Sequence, residues 1–228
     1  PDPFLTIWKG NIRFTAANMN ALAFIATFII GGLSGVFMAS APVDIYIHDT
    51  YFIVAHIHYV LFGGALFAIF AGIYYWFPKM YGRMMNKKLG YAHFWLTVIS
   101  VYGVFFPMHF IGLAGVPRRY YSNEAFPLFD ALQDINVSIS MFAFLGGLAQ
   151  CIFAFNFFYS IFRGTKSSKN PWRSNALEWT TEINPGHGNW EGPIPTVHRW
   201  AYDYSKPGAD DDFIPQNVPL KAGEEDIH

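Results

Sequence analysis

Two histidines, His56 and His58, stand inside an apolar run that extends from about Tyr51 to Phe77. Ionisable groups in a membrane-length run are costly, and by default they suggest function. Residues i and i+2 do not share a helix face. At 3.6 residues per turn their side chains leave the axis roughly 200° apart. One metal ion held by both would call for i and i+3 or i+4. Two imidazoles pointing to opposite sides suit two separate centres, and imidazole is a common axial ligand to haem iron. Each could instead hydrogen-bond a neighbouring helix, and spacing leaves both readings open. The setting is aromatic, with Tyr51, Phe52 and Tyr59 nearby.

A polar cluster precedes the pair. Asp44, His48 and Asp49 lie just before the run, and on a continuous helix His56 would sit about 12 Å beyond His48. Imidazole and carboxylate, completed by water, suit a hard divalent ion such as Mg²⁺ or Mn²⁺. An aspartate favoured by the dipole at a helix start is the alternative. Arg118 and Arg119 are adjacent, and a guanidinium grips carboxylates in a bidentate fork; the alternative is an ordinary interfacial pair. His93 and His109 are expected to hydrogen-bond locally, and His187 and His198 to lie at interfaces. The single cysteine, Cys151, excludes an internal disulfide, a cysteine zinc site and a C-x-x-C-H haem attachment. It is expected to be a small buried hydrophobe. Gly31-Gly32, Gly35, Gly63-Gly64 and Gly146-Gly147 point to close helix packing rather than to a phosphate loop.

The elements that must position these residues are membrane helices. Only 14% of residues are charged, against about 25% in soluble domains, and the apolar excess falls in four runs. The expected architecture is all-α: a polytopic bundle over 1–163 with spans at about 16–40, 51–77, 89–113 and 135–162. Each is long enough to cross roughly 30 Å of hydrocarbon as a helix, where no water satisfies the backbone. Pro78 is expected to end the second span. The chain from 164 to 228 is rich in Pro, Gly, Asn and Trp without a sustained period. It is expected to be an irregular polar tail on the cytoplasmic side, ordered against other parts of a complex.

Lys9 and Arg13, then Lys79, Arg83, Lys87 and Lys88, then Arg163, Lys166, Lys169 and Arg173 all fall on one side of a four-span count. The positive-inside rule makes that side cytoplasmic. The other side mixes signs, with Asp44, His48, Asp49, Arg118, Arg119, Glu124 and Asp130. Asp210-Asp211-Asp212 is expected to be a solvated patch. A net charge of −1 gives no indication of nucleic acid. The start, Pro1-Asp2-Pro3, carries neither an initiating methionine nor a signal peptide, as a fragment or a split subunit would.

The segment His48-Asp49-Thr50-Tyr51-Phe52-Ile53-Val54-Ala55-His56-Ile57-His58-Tyr59-Val60 resembles the tenth transmembrane helix of haem–copper terminal oxidase subunit I. The likeness continues through Trp76-Phe77-Pro78, Phe106-Pro107-Met108-His109-Phe110 and Gly115-Val116-Pro117-Arg118-Arg119-Tyr120. Asn170-Pro171-Trp172 through Glu178-Trp179 resembles the tails of bacterial members. This resemblance implies that His56 is the proximal, catalytic ligand of the high-spin haem and His58 an axial ligand of the low-spin haem. It implies that His48 and Asp49 hold a non-redox Mg²⁺ or Mn²⁺, that Asp44 links to a haem propionate, and that Arg118 and Arg119 contact the propionates.

The same resemblance implies a cytochrome c oxidase that passes electrons from cytochrome c through the low-spin haem to a haem–copper site. There O2 is reduced to water and protons are pumped. His-Asp at 48–49 and Pro before the arginine pair look more like cytochrome c oxidases of the haem A type than quinol-oxidising members. A complete subunit of this family has about twelve spans, so the chain would be its last third. The copper ligands, the second ligand of the low-spin haem and the main proton-channel residues would lie in an N-terminal portion or a partner chain. Oxidase subunits II and III and membrane lipid are the other implied partners, and the bacterial inner membrane the implied location, ahead of the mitochondrial one. A dihaem electron-transfer anchor without oxygen chemistry, and a haem-free transporter or scaffold, are the alternatives.

Overall fold

The computed structural model describes residues 2–8, 10, 12–122, 126–204 and 211–221. Lys9, Glu124 and Asp210 lie outside them. The chain divides into two compact units. One comprises residues 1–75 and 86–158, the other residues 76–85 and 159–228.

The first unit is helical throughout. A short α1 (Asp2–Ile7) precedes α2 (Ala16–Ala39). Thr15 caps α2, its side chain accepting the Asn18 amide at 3.2 Å. A short α3 (Ala41–Ile47) follows, with proline in its first turn. The chain then breaks at His48-Asp49-Thr50. Thr50 caps the next helix, accepting the Phe52 amide at 3.2 Å and donating to the Ile47 carbonyl at 2.7 Å. So the helix is not continuous from His48 to His56. The new one opens as α4 (Tyr51–Ile57), widens into a π segment (His58–Ala65) and returns to α form in α5 (Leu66–Tyr81). Pro78 does not end it; the helix runs three residues further, because proline this near the end forfeits little of the remaining backbone bonding. Next, α6 (Lys87–Leu113) starts on Asn86, whose side chain accepts the Lys88 and Leu89 amides. The last long helix is α7 (Gln133–Arg163), entered through a 3-10 turn at Pro127–Leu132.

Among the described residues four helices are long and apolar enough to cross a membrane: Ala16–Ala39, Tyr51–Tyr81, Lys87–Leu113 and Pro127–Arg163. Each overlaps one of the four apolar runs, and the protein is a multi-pass, all-α membrane protein. The spans differ in how far this chain covers them. The most apolar stretch of Tyr51–Tyr81 is 39% buried, that of α2 17% and that of Pro127–Arg163 11%. The helix that bears His56 and His58 and the span Lys87–Leu113, 33% buried, are therefore the two that the chain covers most. α4 packs chiefly on α6, and the π segment on α2.

Glycine permits these approaches, and in two of the three glycine pairs only one member is packed. A Cβ on Gly31 would lie 2.7 Å from Val60 and one on Gly63 3.1 Å from Thr27, whereas Gly32 and Gly147 face open space. α7 meets α6 through Phe142, whose carbonyl accepts Ser100 Oγ at 2.8 Å. Cys151 lies on the uncovered side of α7 and is exposed. The expectation that it is buried fails because the apolar run around it has only one packed face.

In the second unit the end of α5 and the end of α7 are joined by an antiparallel pair, β1 (Arg83–Met84) with β2 (Thr165–Lys166). The tail is irregular, and some of its residues are enclosed. Trp179 is 2% exposed, and Lys79 Nζ lies 5.1 Å from its ring while donating to the Thr181 carbonyl at 2.8 Å. Arg199 and Asp203 form an enclosed ion pair at 3.4 Å.

Candidate functional site

All the residues that the sequence nominates lie in the first unit. His56, at the last turn of α4, turns toward α2. Its Nδ1 is 2.8 Å from the Gly31 carbonyl and 3.0 Å from Ser34 Oγ. Both partners are acceptors for an Nδ1–H, since Ser34 gives its own proton to the Gly31 carbonyl at 2.7 Å. The ring fits because α2 carries glycine beneath it: a Cβ on Gly35 would stand 2.8 Å from His56 Cε1.

His58 opens the π segment and turns toward α6 instead. Its ring stacks on Phe105, with centroids 4.5 Å apart and planes 18° from parallel. Its Nδ1 donates to the Val54 carbonyl at 2.7 Å. The two rings therefore leave the helix toward different neighbours, as the spacing predicts. In both, the hydrogen bond at Nδ1 fixes the tautomer with the proton there, which presents Nε2 as a lone-pair donor. Among the described residues neither Nε2 has a hydrogen-bond partner.

The π segment starts at the second histidine, and such wide turns are frequent at functional sites. Nothing in the residue types announced it. Ser34 was likewise not singled out by sequence reasoning. Its signal was a polar residue in an apolar run, three residues beyond Gly31 and beside Gly35.

The polar cluster is organised by the break before α4. Asp49 adopts a left-handed backbone, φ 58°, which aspartate tolerates better than most residues. That bend returns the chain to the loop after α6. The Asp49 carbonyl accepts the Arg118 amide at 2.9 Å, Tyr51 donates to the Val116 carbonyl at 3.0 Å, and Thr50 bridges Pro117. The Arg118 side chain closes the clasp, with Nε donating to Asp49 Oδ1 at 2.8 Å and Nη2 paired with the same oxygen. The Arg118 guanidinium thereby holds the Asp49 carboxyl below its usual 3.8, and the charges of Arg118, His48 and Arg119 act in the same direction against partial desolvation.

His48 lies between two carboxylates. Its Nδ1 is 3.5 Å from Asp44 Oδ2 and its Nε2 3.7 Å from Asp49 Oδ2. Among the described residues no group of three or more His, Cys, Asp or Glu side chains is placed to hold a metal ion. Arg119 is exposed, with φ 70°.

The other membrane histidines are enclosed. His93 is 0% exposed, with Nδ1 3.1 Å from the Tyr74 hydroxyl and its ring against Phe70 and Phe153. His109 Nδ1 faces the Phe106 carbonyl at 3.3 Å, and its ring meets Phe52 edge-on.

Comparison with known proteins adds a second line. The family model described as cytochrome c and quinol oxidase polypeptide I matches residues 3–145. The "alternative cytochrome c oxidase subunit 1" of Bradyrhizobium diazoefficiens is 48% identical over 221 residues, covering 96% of this chain and 37% of that protein. Cytochrome c oxidase subunit 1 of Synechocystis is 45% identical over 200 residues, 87% of this chain and 35% of that protein. The chain thus spans little more than a third of the length of the curated relatives it matches. A solved structure described as a haem–copper terminal oxidase dimer shares the fold, with a TM-score of 0.59 at 21% identity, covering 67% of this chain and 28% of that one.

Proposed function

Since the chain belongs to the cytochrome c and quinol oxidase polypeptide I family, we propose that it is the haem-bearing C-terminal part of the catalytic subunit of a respiratory terminal oxidase. The complex takes electrons from cytochrome c, reduces O2 to water and pumps protons across a bacterial inner membrane. The observation that carries this reading is the pair of imidazoles on one helix. Each is pinned at Nδ1 by a carbonyl and open at Nε2, and the two face different neighbours.

The residues fit the groups assigned to them. His56, cradled by Gly31, Ser34 and Gly35, would hold the iron of a high-spin haem. His58, stacked on Phe105, would hold that of a low-spin haem; haem A suits the sequence motifs. When bound, the haems would supply redox-active iron, and the copper ligands of the oxygen site would come from an N-terminal portion or a partner chain. The work of the chain is to fix two nitrogen donors. Hydrogen bonds from Nδ1 to carbonyls set ring orientation and raise donor strength at Nε2.

Arg118 and Arg119 offer forks for haem propionates, with Asp44 beside them. Here Arg118 already holds one oxygen of Asp49, so its role is divided between carboxylate and propionate. His48 Nε2 and Asp49 Oδ2 would supply two ligands to Mg²⁺ or Mn²⁺, with water and donors from other chains completing the shell. An N-terminal portion or partner chain, subunits II and III, and lipid would cover the apolar surface that α2 and α7 leave open.

The test is optical. A purified complex containing this chain should show two haem populations on reduction, one of which binds carbon monoxide. Two haems that never bind carbon monoxide would instead identify a dihaem electron-transfer anchor. Oxidation of a quinol in place of cytochrome c would place the chain with the quinol-oxidising members.

A further inference from the structure

His56 Nδ1 has two acceptors, and only one is backbone. The Gly31 carbonyl lies at 2.8 Å and Ser34 Oγ at 3.0 Å. Ser34 is 6% exposed. Its hydroxyl proton is committed to the Gly31 carbonyl at 2.7 Å, which turns the oxygen lone pairs toward the imidazole. The three groups close a triangle: Ser34 donates to Gly31, and His56 shares its proton between both. Gly31 and Ser34, three residues apart, lie on one face of α2. Gly35 extends that face without a side chain, so Cε1 of the ring comes close against it.

The two histidines differ in this respect. Among the described residues His58 Nδ1 has a carbonyl alone. A hydroxyl beside the imidazole proton adds negative potential there, and a more anionic imidazole is a stronger donor at Nε2.

We propose that Ser34 is a positioning residue for His56, whose hydroxyl strengthens the His56–iron bond and lowers the potential of the haem it holds. This rests on the reading of His56 as a haem ligand. The low-spin haem on His58 has no such hydroxyl, so the serine acts on one centre only.

The test is resonance Raman spectroscopy and redox titration of the assembled, reduced complex carrying Ser34→Ala, Ser34→Thr or Ser34→Cys. In Ser34→Ala the iron–histidine stretch should move to lower frequency and the midpoint potential of the carbon-monoxide-binding haem should rise, with low-spin bands unmoved. Ser34→Thr should restore the wild-type frequency. Ser34→Cys, which keeps the volume with a weaker acceptor, should fall between, and it serves if the alanine variant fails to assemble. An unmoved stretch in Ser34→Ala or Ser34→Cys at full haem content overturns the role of Ser34. A wild-type complex without an iron–histidine stretch, or one that keeps it in His56→Ala, overturns the ligand reading and this proposal with it.

Discussion

Histidines serve two regions of the helical unit in different ways. Around His56 and His58, the proton-bearing nitrogen is held by backbone carbonyls, and the other nitrogen is open. Around His93, Phe70, Tyr74 and Phe153 close over the whole ring, and Nε2 is sealed inside. All three residues stand in membrane-crossing helices. A histidine in a span is thus not by itself a candidate ligand; an accessible, tautomer-fixed Nε2 separates His56 and His58 from the packing residue His93. His109 belongs with His93, since its Nε2 is also buried.

The comparison breaks most readily at the cradle. Gly35→Ala places a methyl group 2.8 Å from His56 Cε1, and the ring must move. Loss of supporting geometry typically costs about 10- to 100-fold in affinity or activity. Turnover should fall by that order, with the carbon-monoxide-binding haem depleted and the low-spin bands retained. Equal loss of both haems would show general misfolding instead.

A smaller effect is expected at the enclosed histidine. His93→Ala leaves a cavity against Phe70 and Phe153 and should cost about 2–4 kcal/mol of stability. Thermal denaturation of the detergent-solubilised complex would register it, while both haem spectra stay unchanged. His93→Phe, which fills the space, should cost less. A spectral change in either variant would remove the distinction between the two regions.

The smallest effect concerns the clasp before α4. The Asp49 carboxyl is held below 3.8 by Arg118. Its pairing therefore contributes above the ordinary carboxylate value and is lost as pH falls through the lowered one. Protection of the Arg118 amide from hydrogen exchange, corrected for intrinsic rate, should be flat from pH 5 to 8 and fall only below about 3.8. Asp49→Asn should lower protection at all pH values and abolish the acid step.

Much of this was legible before the fold was known. That His56 and His58 leave the helix toward different neighbours follows from helical period, and the two rings do meet α2 and α6 respectively. Span positions were legible because lipid allows no other spanning structure for such runs. What failed to show was cooperative. The break at His48–Thr50 depends on Asp49 entering a left-handed conformation while the loop after α6 pairs with it, a long-range event. Only Thr50, a good capping residue, hinted at it. The π segment lies where Tyr59 and Val60 pack against Gly31 of α2, a long-range contact that residue types do not display. The tail's enclosed Trp179 and Arg199 have no periodic pattern that a sequence could display.

The central claim is that His56 and His58 hold different centres. The direct measurement is haem content and the reduced spectrum, with and without carbon monoxide, of the assembled complex bearing His56→Ala or His58→Ala. His58→Ala should lose the low-spin haem, and His56→Ala should lose the carbon-monoxide-binding one while the low-spin bands persist. Identical losses in the two variants, or two intact haems in either, would contradict it.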